Sequence, residues 1–244
     1  MYEIHKNNAF YNKKDVALFN VNDGNQIEIY PHNCKDRNLI FDALLNFPLA
    51  LIFYQRGFSI IHASSVEYKG KVILFCGQSH SGKSTISNLI SNHGGSLISD
   101  DISVLKKNGK RYQILPSHQL QKLSSEFVEK IKPFNINNKK ILTSRDRLIY
   151  TNNSFNDSEK NIDICFFMNR GDNHAINMIS NKELINNLLK FSYITEDKSD
   201  YLNILNIADN IQFFNLTLKE DIENLLGFVE YFNNWFSNKN NHQI

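Results

Sequence analysis

The stretch that most restricts the fold of this chain runs from Ile61 to Leu105. Val72 to Cys76 is a short apolar run, which suits a buried strand. Gly77-Gln78-Ser79-His80-Ser81-Gly82-Lys83-Ser84 follows it and fits the pattern G-x-x-x-x-G-K-[ST]. From Thr85 to Asn92, Ile86, Leu89 and Ile90 recur at a spacing that predicts a helix packed on a sheet. Strand, glycine-bounded turn and helix in that order point to an α/β fold with nucleotide-binding topology.

The chemistry accounts for the residue types. Such a loop gathers backbone N–H groups at a helix start, where an anion can sit. Gly77 and Gly82 permit backbone angles and close approaches that a side chain would block. Lys83 supplies a mobile positive charge to β- and γ-phosphates, and the Ser84 hydroxyl is placed to hold Mg²⁺. The whole segment Gly77 to Thr85 is therefore the candidate nucleotide-binding loop.

With 244 residues, 41% hydrophobic and 21% charged, the chain can bury a large core as one α/β domain or a domain with an extension. A net charge of +2 gives no case for nucleic acid or an anionic membrane as partner. No run reads as long enough to span a bilayer, and Met1-Tyr2-Glu3-Ile4-His5 does not resemble a signal peptide. Cys34, Cys76 and Cys165 are odd in number and scattered, which fits a reducing cytoplasm and not a disulfide framework or zinc site.

Val16–Val21 and Gln26–Tyr30 flank Asn22-Asp23-Gly24-Asn25, a hairpin signal. Asp36 to Tyr54 predicts one or two helices interrupted near Pro48. Phe58 to Val66 reads as one strand, turning at Lys69-Gly70 into Lys71 to Cys76. His93-Gly94-Gly95 stops the loop helix before a strand over Ser96 to Ser99 and a segment Ile102 to Leu105, with Asn108-Gly109 turning into Tyr112 to Leu115. A helix is expected around Leu120 to Ile131, then a polar, Asn-rich stretch over 133–160. Ile162 to Met168 and Ile176 to Ile179 read as strands, Asn181 to Tyr193 as an amphipathic helix, Tyr201 to Phe214 as a helix and a strand, and Lys219 to Phe236 as a closing helix.

Asp100 and Asp101 end the strand after the loop helix, where ligands gather in such folds. Phosphoryl transfer uses a carboxylate for Mg²⁺ and one to accept the proton of the attacking hydroxyl. Neighbouring strand residues point to opposite faces, so both reach one site only where the strand is ending, with different tasks. Asp also starts turns, which is the plainer reading of such a pair. His62 lies on the preceding strand; a lone histidine there is most often a hydrogen-bonded core or edge residue.

His62-Ala63-Ser64-Ser65, then the glycine loop, then Leu97-Ile98-Ser99-Asp100-Asp101 resembles the HPr kinase/phosphorylase family. The likeness is to its short kinase-like branch, which includes lasso-peptide precursor kinases. Residues 57–105 carry the distinctive motifs; Phe53 to Phe58 and Ile162 to Tyr193 resemble flanking segments more weakly. The resemblance implies a P-loop, phosphoenolpyruvate-carboxykinase-like mixed sheet flanked by helices. It implies a single HPr kinase-like domain, with 1–55 as an N-terminal strand and helix extension and 56–244 as the kinase core. ATP and Mg²⁺ are the implied cofactors, and the acceptor is a serine hydroxyl on a peptide or protein, extending to the C-terminal serine of a lasso-type precursor. Lys83 would contact the β/γ-phosphates and Ser84 the metal. Asp100 would be the base with His62 beside it, and Asp101 would help with metal or geometry, so Ser84, Asp100 and Asp101 are the candidate metal ligands. The family often forms homo-oligomers.

The chain departs from the family at His80, where a small residue is usual, and at Thr85, where an acidic residue is usual. It also lacks the downstream glycine-rich signature of the phosphorylase reaction, and 1–55 is too short for the large N-terminal domain of the bacterial regulator. These differences point away from HPr as acceptor and from dephosphorylation. Arg145, Arg147 and Arg170 are candidates for binding a carboxylate or phosphate, or are solvated surface charges. Two other readings use the same residues: a kinase of a small hydroxylated molecule, or a nucleotide-binding regulatory or scaffold protein without transfer activity.

Overall fold

A computed structural model describes residues 1–133, 136–142, 147–194, 198–209, 211–219 and 224–241. The chain begins with an antiparallel meander of β1 (Tyr2–Ile4), β2 (Asn8–Lys13), β3 (Ala17–Asn22) and β4 (Gln26–Pro31). The expected hairpin is β3–β4, its tip carrying Asp23 and Gly24 at φ 50° and 65°. That tip is anchored, since Gly24 N–H donates to Gln55 Oε1 at 2.8 Å. Two helices follow, α1 (Arg37–Leu44), capped by the Asp36 side chain, and α2 (Phe47–Gln55). Pro48 falls in the first turn of α2, where its missing N–H costs no helical hydrogen bond.

Contrary to expectation, Arg37–Gln55 does reach membrane-spanning length and composition, with 19 residues and a mean hydropathy of 1.3. It is broken at Leu45-Asn46, and Ala43, Ala50, Leu51 and Ile52 are buried against the rest of the chain.

The strand expected over Phe58 to Val66 is two strands, β5 (Ser59–Ile61) and β6 (Ala63–Tyr68), interrupted at His62. There the His62 N–H donates to Phe191 O at 2.7 Å instead of continuing a ladder. Lys69 and Gly70, both at positive φ, turn β6 into β7 (Lys71–Cys76). The loop 77–82 opens α3 (Lys83–Asn92); Gly94 at φ 91° ends the helix ahead of β8 (Ser96–Ser99). Asp100 and Asp101 then lead into β9 (Ser103–Asn108), which pairs with β10 (Arg111–Leu115).

Leu120 to Ile131 is not one helix but β11 (Leu120–Ser124) followed by α4 (Ser125–Ile131). Gln121 and Leu123 point inward at a period of two, and the Ser124 hydroxyl accepts from Phe127 N–H at 3.2 Å to start α4. The polar stretch expected after it holds β12 (Ile136–Leu142) and β13 (Arg147–Asn152), with β13 paired between β11 and β12. After β14 (Lys160–Asn161) come β15 (Ile164–Gly171), β16 (Ala175–Met178), α5 (Asn181–Phe191), α6 (Lys198–Ile207) and β17 (Gln212–Lys219). Ser180 and Glu183 form a capping box at the start of α5. The closing helix α7 spans Leu225–Asn241, and Lys219, expected inside it, ends β17.

The central sheet has the order β16-β17-β15-β7-β6-β8. It is mixed: β15 runs parallel to both β7 and β17, while the other pairings are antiparallel. Both faces are covered, which explains the unbroken apolar runs of β7 and β15. Ile73, Phe75 and Phe166 face α3 and the aromatic stripe Phe228, Phe232 and Phe236 of α7. Leu74, Cys76, Cys165 and Phe167 face Leu188 and Phe191 of α5 and Ile204 and Ile207 of α6.

A second sheet, β14-β10-β9-β5, lies beside the first. The chain passes between these two sheets at His62, from β5 to β6, and again at Asp100 to Ile102, from β8 to β9. Because β5 pairs with β9 and β6 with β8, the crossings are side by side. This is what brings His62 to the acidic pair.

Candidate functional site

Loop 77–82 leaves the end of β7, a strand hydrogen-bonded on both sides, and delivers the chain to the N-terminus of α3. Gly82 is the N-cap at φ 99°, and a Cβ there would sit 2.8 Å from an Arg170 guanidinium nitrogen. A Cβ on Gly77 would collide with Ser81 Oγ and lie 3.2 Å from Met168 Cβ. Space therefore requires glycine at 77, and the backbone angle requires it at 82. His80 stands at φ 69°, in the left-handed region that histidine enters more readily than most non-glycine residues. The Lys83 ammonium is buried and donates to Gly77 O at 2.9 Å and Gln78 O at 3.1 Å. The first-turn N–H groups of α3 have no helical acceptor, which leaves them available to an anion.

Asp100 and Asp101 share a tight turn. Ile102 N–H donates to Asp100 O at 2.8 Å across Asp101, which stands at φ 64°. This is a γ-turn with a non-glycine residue in the left-handed region, a conformation of order 1–3 kcal/mol in cost that surrounding structure must hold. The turn gives the two carboxylates different surroundings. Asp100 is buried, with Lys122 N–H donating to its Oδ2 at 3.2 Å and its Oδ1 left without a hydrogen-bond partner among the described residues. Asp101 is reached by His62 Nε2 at 3.7 Å on Oδ1 and by Lys122 Nζ at 3.2 Å on Oδ2.

The imidazole is thus beside Asp101, not beside Asp100 as the sequence reading had it. Asp101, proposed there as a metal ligand, has the Lys122 ammonium on one oxygen and the His62 imidazole 3.7 Å from the other. Lys122, from β11, escaped the sequence reading altogether. It is held by Asp42 at 2.8 Å and by Asn46 Oδ1 at 3.1 Å, so it ties α1 and the chain just before α2 to the acidic turn.

Burial pushes Asp100 up from 3.8 to about 6, helped by the charge of Asp101; the Ser64 and Ser84 hydroxyls and the Lys122 N–H offset part of this. Burial would also raise Asp101, but the His62 contact and the charges of Lys122 and Lys83 outweigh it and hold it well below the usual carboxylate range. Two adjacent acids are thereby driven apart, Asp101 favouring the ionised form and Asp100 raised toward neutral pH. Lys122 is raised despite burial, because Asp101 and Asp42 share its charge.

A buried hydroxyl network fixes these positions. Ser64 bonds Ser87 at 2.7 Å, Ser65 bonds Ser99 at 2.6 Å, and Ser99 bonds Ser103 at 2.8 Å. It links β6, β8, β9 and α3 around the acidic turn. Gln121, fully buried, bonds Ser87, Asn88 and Asn152 and pins β11 to α3. The sequence carried a signal for this in the serines flanking His62 and the aspartates.

Two cavities meet at this point. One, about 160 Å³, is lined by His80, Gly82, Lys83, Ser84, Thr85 and Arg170. The other, about 240 Å³, is walled by β2, α1 and the start of α2. Both include Ser79, His62, Asp101 and Lys122. Arg170 lies at the loop from the end of β15 and donates to Lys219 O at 3.2 Å. Arg145 and the side chain of Arg147 lie outside the described residues.

Among the described residues, no cluster of His, Cys, Asp and Glu has the make-up of an all-protein metal site. Mg²⁺ does not need one, since it keeps waters and takes one or two protein oxygens beside phosphates. Ser84 and Asp100 fit that requirement: the hydroxyl is near the carboxylate, and one buried carboxylate oxygen lacks a partner.

No protein-family model matches the chain, and no curated protein does. Among solved structures it is similar to the Hpr(Ser) kinase/phosphatase from Coxiella burnetii, at 12% identity over 74% of this chain and 98% of that chain. The TM-score is 0.36, a superposition so loose that the reading of the site rests on its own geometry.

Proposed function

We propose that the protein is a cytoplasmic phosphotransferase that moves the terminal phosphoryl group of a nucleoside triphosphate, ATP in the first instance, to an acceptor hydroxyl. The observation that carries this is the junction: a cavity at a glycine loop and a second cavity meet at one ionised carboxylate, Asp101, flanked by His62 and Lys122.

In this reading the N–H groups opening α3, with Lys83, receive the β- and γ-phosphates, and Arg170 adds a second cation. Bound Mg²⁺, held by Ser84 and Asp100, would neutralise charge between the phosphates. The acceptor hydroxyl oxygen attacks the γ-phosphorus, the bond to the bridging oxygen breaks, and the nucleoside diphosphate leaves. The Asp101–His62 pair takes the hydroxyl proton, Asp101 orienting the hydroxyl and stabilising the imidazole that receives it. This reverses the roles first given to the two acids: Asp100 becomes the metal partner, and the base is Asp101 together with His62.

The motif resemblance supports a serine hydroxyl on a peptide or protein as acceptor, with the C-terminal serine of a lasso-type precursor as its narrowest form. A second reading, a small hydroxylated molecule, is favoured by the size of the second cavity. At about 240 Å³ it lies below the roughly 300–1,000 Å³ of sites for drug-sized ligands. The test is release of ADP from ATP by the purified protein, with and without a serine peptide, in Mg²⁺ and in excess chelator. Turnover that needs Mg²⁺ supports the proposal. Tight nucleotide binding with no turnover under any condition would leave a regulatory or scaffold protein instead.

A further inference from the structure

The cavity on the N-terminal side has a layout of its own. Its walls come from Tyr11 and Lys13 at the end of β2, from Asp42 on α1, and from Phe47 at the start of α2. The rings of Tyr11, Phe47, Tyr193 and His62 run in sequence, with centroids 5.2, 6.1 and 5.5 Å apart, leading to the acidic turn. Charge is unevenly placed around it. Asp42 and Asp101 share Lys122 at the inner end. Lys13, half-buried in the wall, has no carboxylate partner among the described residues.

An acceptor in this chamber is oriented by those charges. Its hydroxyl can approach Asp101, but an anionic group there would face two carboxylates sharing one ammonium. The anionic group belongs at Lys13, with the body of the molecule along the aromatic wall. We propose that the N-terminal strands and helices form the acceptor subsite, and that it takes a compact hydroxylated molecule carrying a carboxylate or phosphate. This rests on the phosphotransferase reading above and adds to it the acceptor's class and the element that selects it. The transfer itself is the one already written, with the new ester formed on the molecule's hydroxyl and the proton left on the Asp101–His62 pair.

The experiment follows ADP release from ATP and Mg²⁺ in the presence of D-glycerate, gluconate or glycerol 3-phosphate. Glycerol and sorbitol serve as uncharged counterparts, with an N-acetylated, C-amidated serine peptide as a further arm. Nucleotide binding is measured separately with a fluorescent ATP analogue. At least one of the anions should raise ADP release above the solvent background and yield a phosphorylated product, with glycerol and sorbitol inactive. Lys13→Glu should raise the half-saturating concentration of that anion by about tenfold or more, the worth of one charge-assisted contact. Lys107→Glu, at the exposed end of β9, should leave it as it was. Equal stimulation by glycerol, stimulation by the peptide alone, no stimulation by any anion in a protein that binds nucleotide, or indifference to Lys13→Glu would each overturn the proposal. Loss of nucleotide binding in the unaltered protein would instead remove the phosphotransferase reading beneath it.

Discussion

Asp100→Asn offers a test in which stability and activity move in opposite directions. The folded protein holds the Asp100 carboxyl at about 6 against an ordinary 3.8, chiefly through burial. The sign follows from linkage. Between those two values the native state binds a proton that the unfolded chain has released, so stability falls as pH rises through the window. Above the window both states are ionised and the full cost is present; below it the cost vanishes. About two pH units at about 1.4 kcal/mol each gives about 3 kcal/mol. Asparagine cannot ionise, its carbonyl can still accept the Lys122 N–H, and it also relieves the like charge of Asp101. Denaturant unfolding of both proteins at pH 4 and pH 8 is the assay. The variant should be close to the parent at the lower pH and more stable by about 3 kcal/mol at the higher, while losing Mg²⁺-supported turnover. A gap of equal size at both pH values, or a variant weakened at pH 8, would refute the burial argument for this acid.

Asp101→Asn should keep nucleotide affinity and lower turnover by about 10²–10⁴-fold, the worth of a general base, as read by paired binding and rate measurements. Lys122→Met leaves Asp42 and Asp101 without their shared cation; a loss of about 3–5 kcal/mol is expected in urea unfolding, with Asp101 becoming easier to protonate. Gly82→Ala forces a side chain into φ 99° and onto the Arg170 guanidinium, so nucleotide affinity should fall well before stability does, which titration with a fluorescent analogue would reveal. Phe232→Ala removes a fully buried ring stacked on Phe228 and should cost about 3–5 kcal/mol with nucleotide affinity preserved, separating core from site.

How much of this was legible beforehand depends on whether a residue's role is local. The run Val72–Cys76, the glycines of the loop and the stop at His93-Gly94 are governed by near neighbours, and the structure has them where the sequence put them. The break at His62 was hidden because apolar character continues through Phe58 to Val66. What divides it is a hydrogen bond to Phe191, more than a hundred residues away. Leu120, Leu123, Phe127 and Ile131 are spaced as on one helix, yet pairing of Leu120–Ser124 with Arg147–Asn152 overrides that pattern. That error concealed Lys122, whose importance lies in partners from α1 and the acidic turn. The imidazole's choice of Asp101 over Asp100 was equally illegible, because it turns on one positive φ.

The double crossing between the two sheets means that this centre is not a loop that could be cut out and moved. The imidazole and both acids stand on the ends of β5, β6, β8 and β9, and each end is registered against another of the same set. A transplant into a foreign scaffold would have to carry all of those ends and the two sheets that fix them. By the same logic, a one-residue insertion at either crossing would put the dyad out of step even though every side chain named here remained.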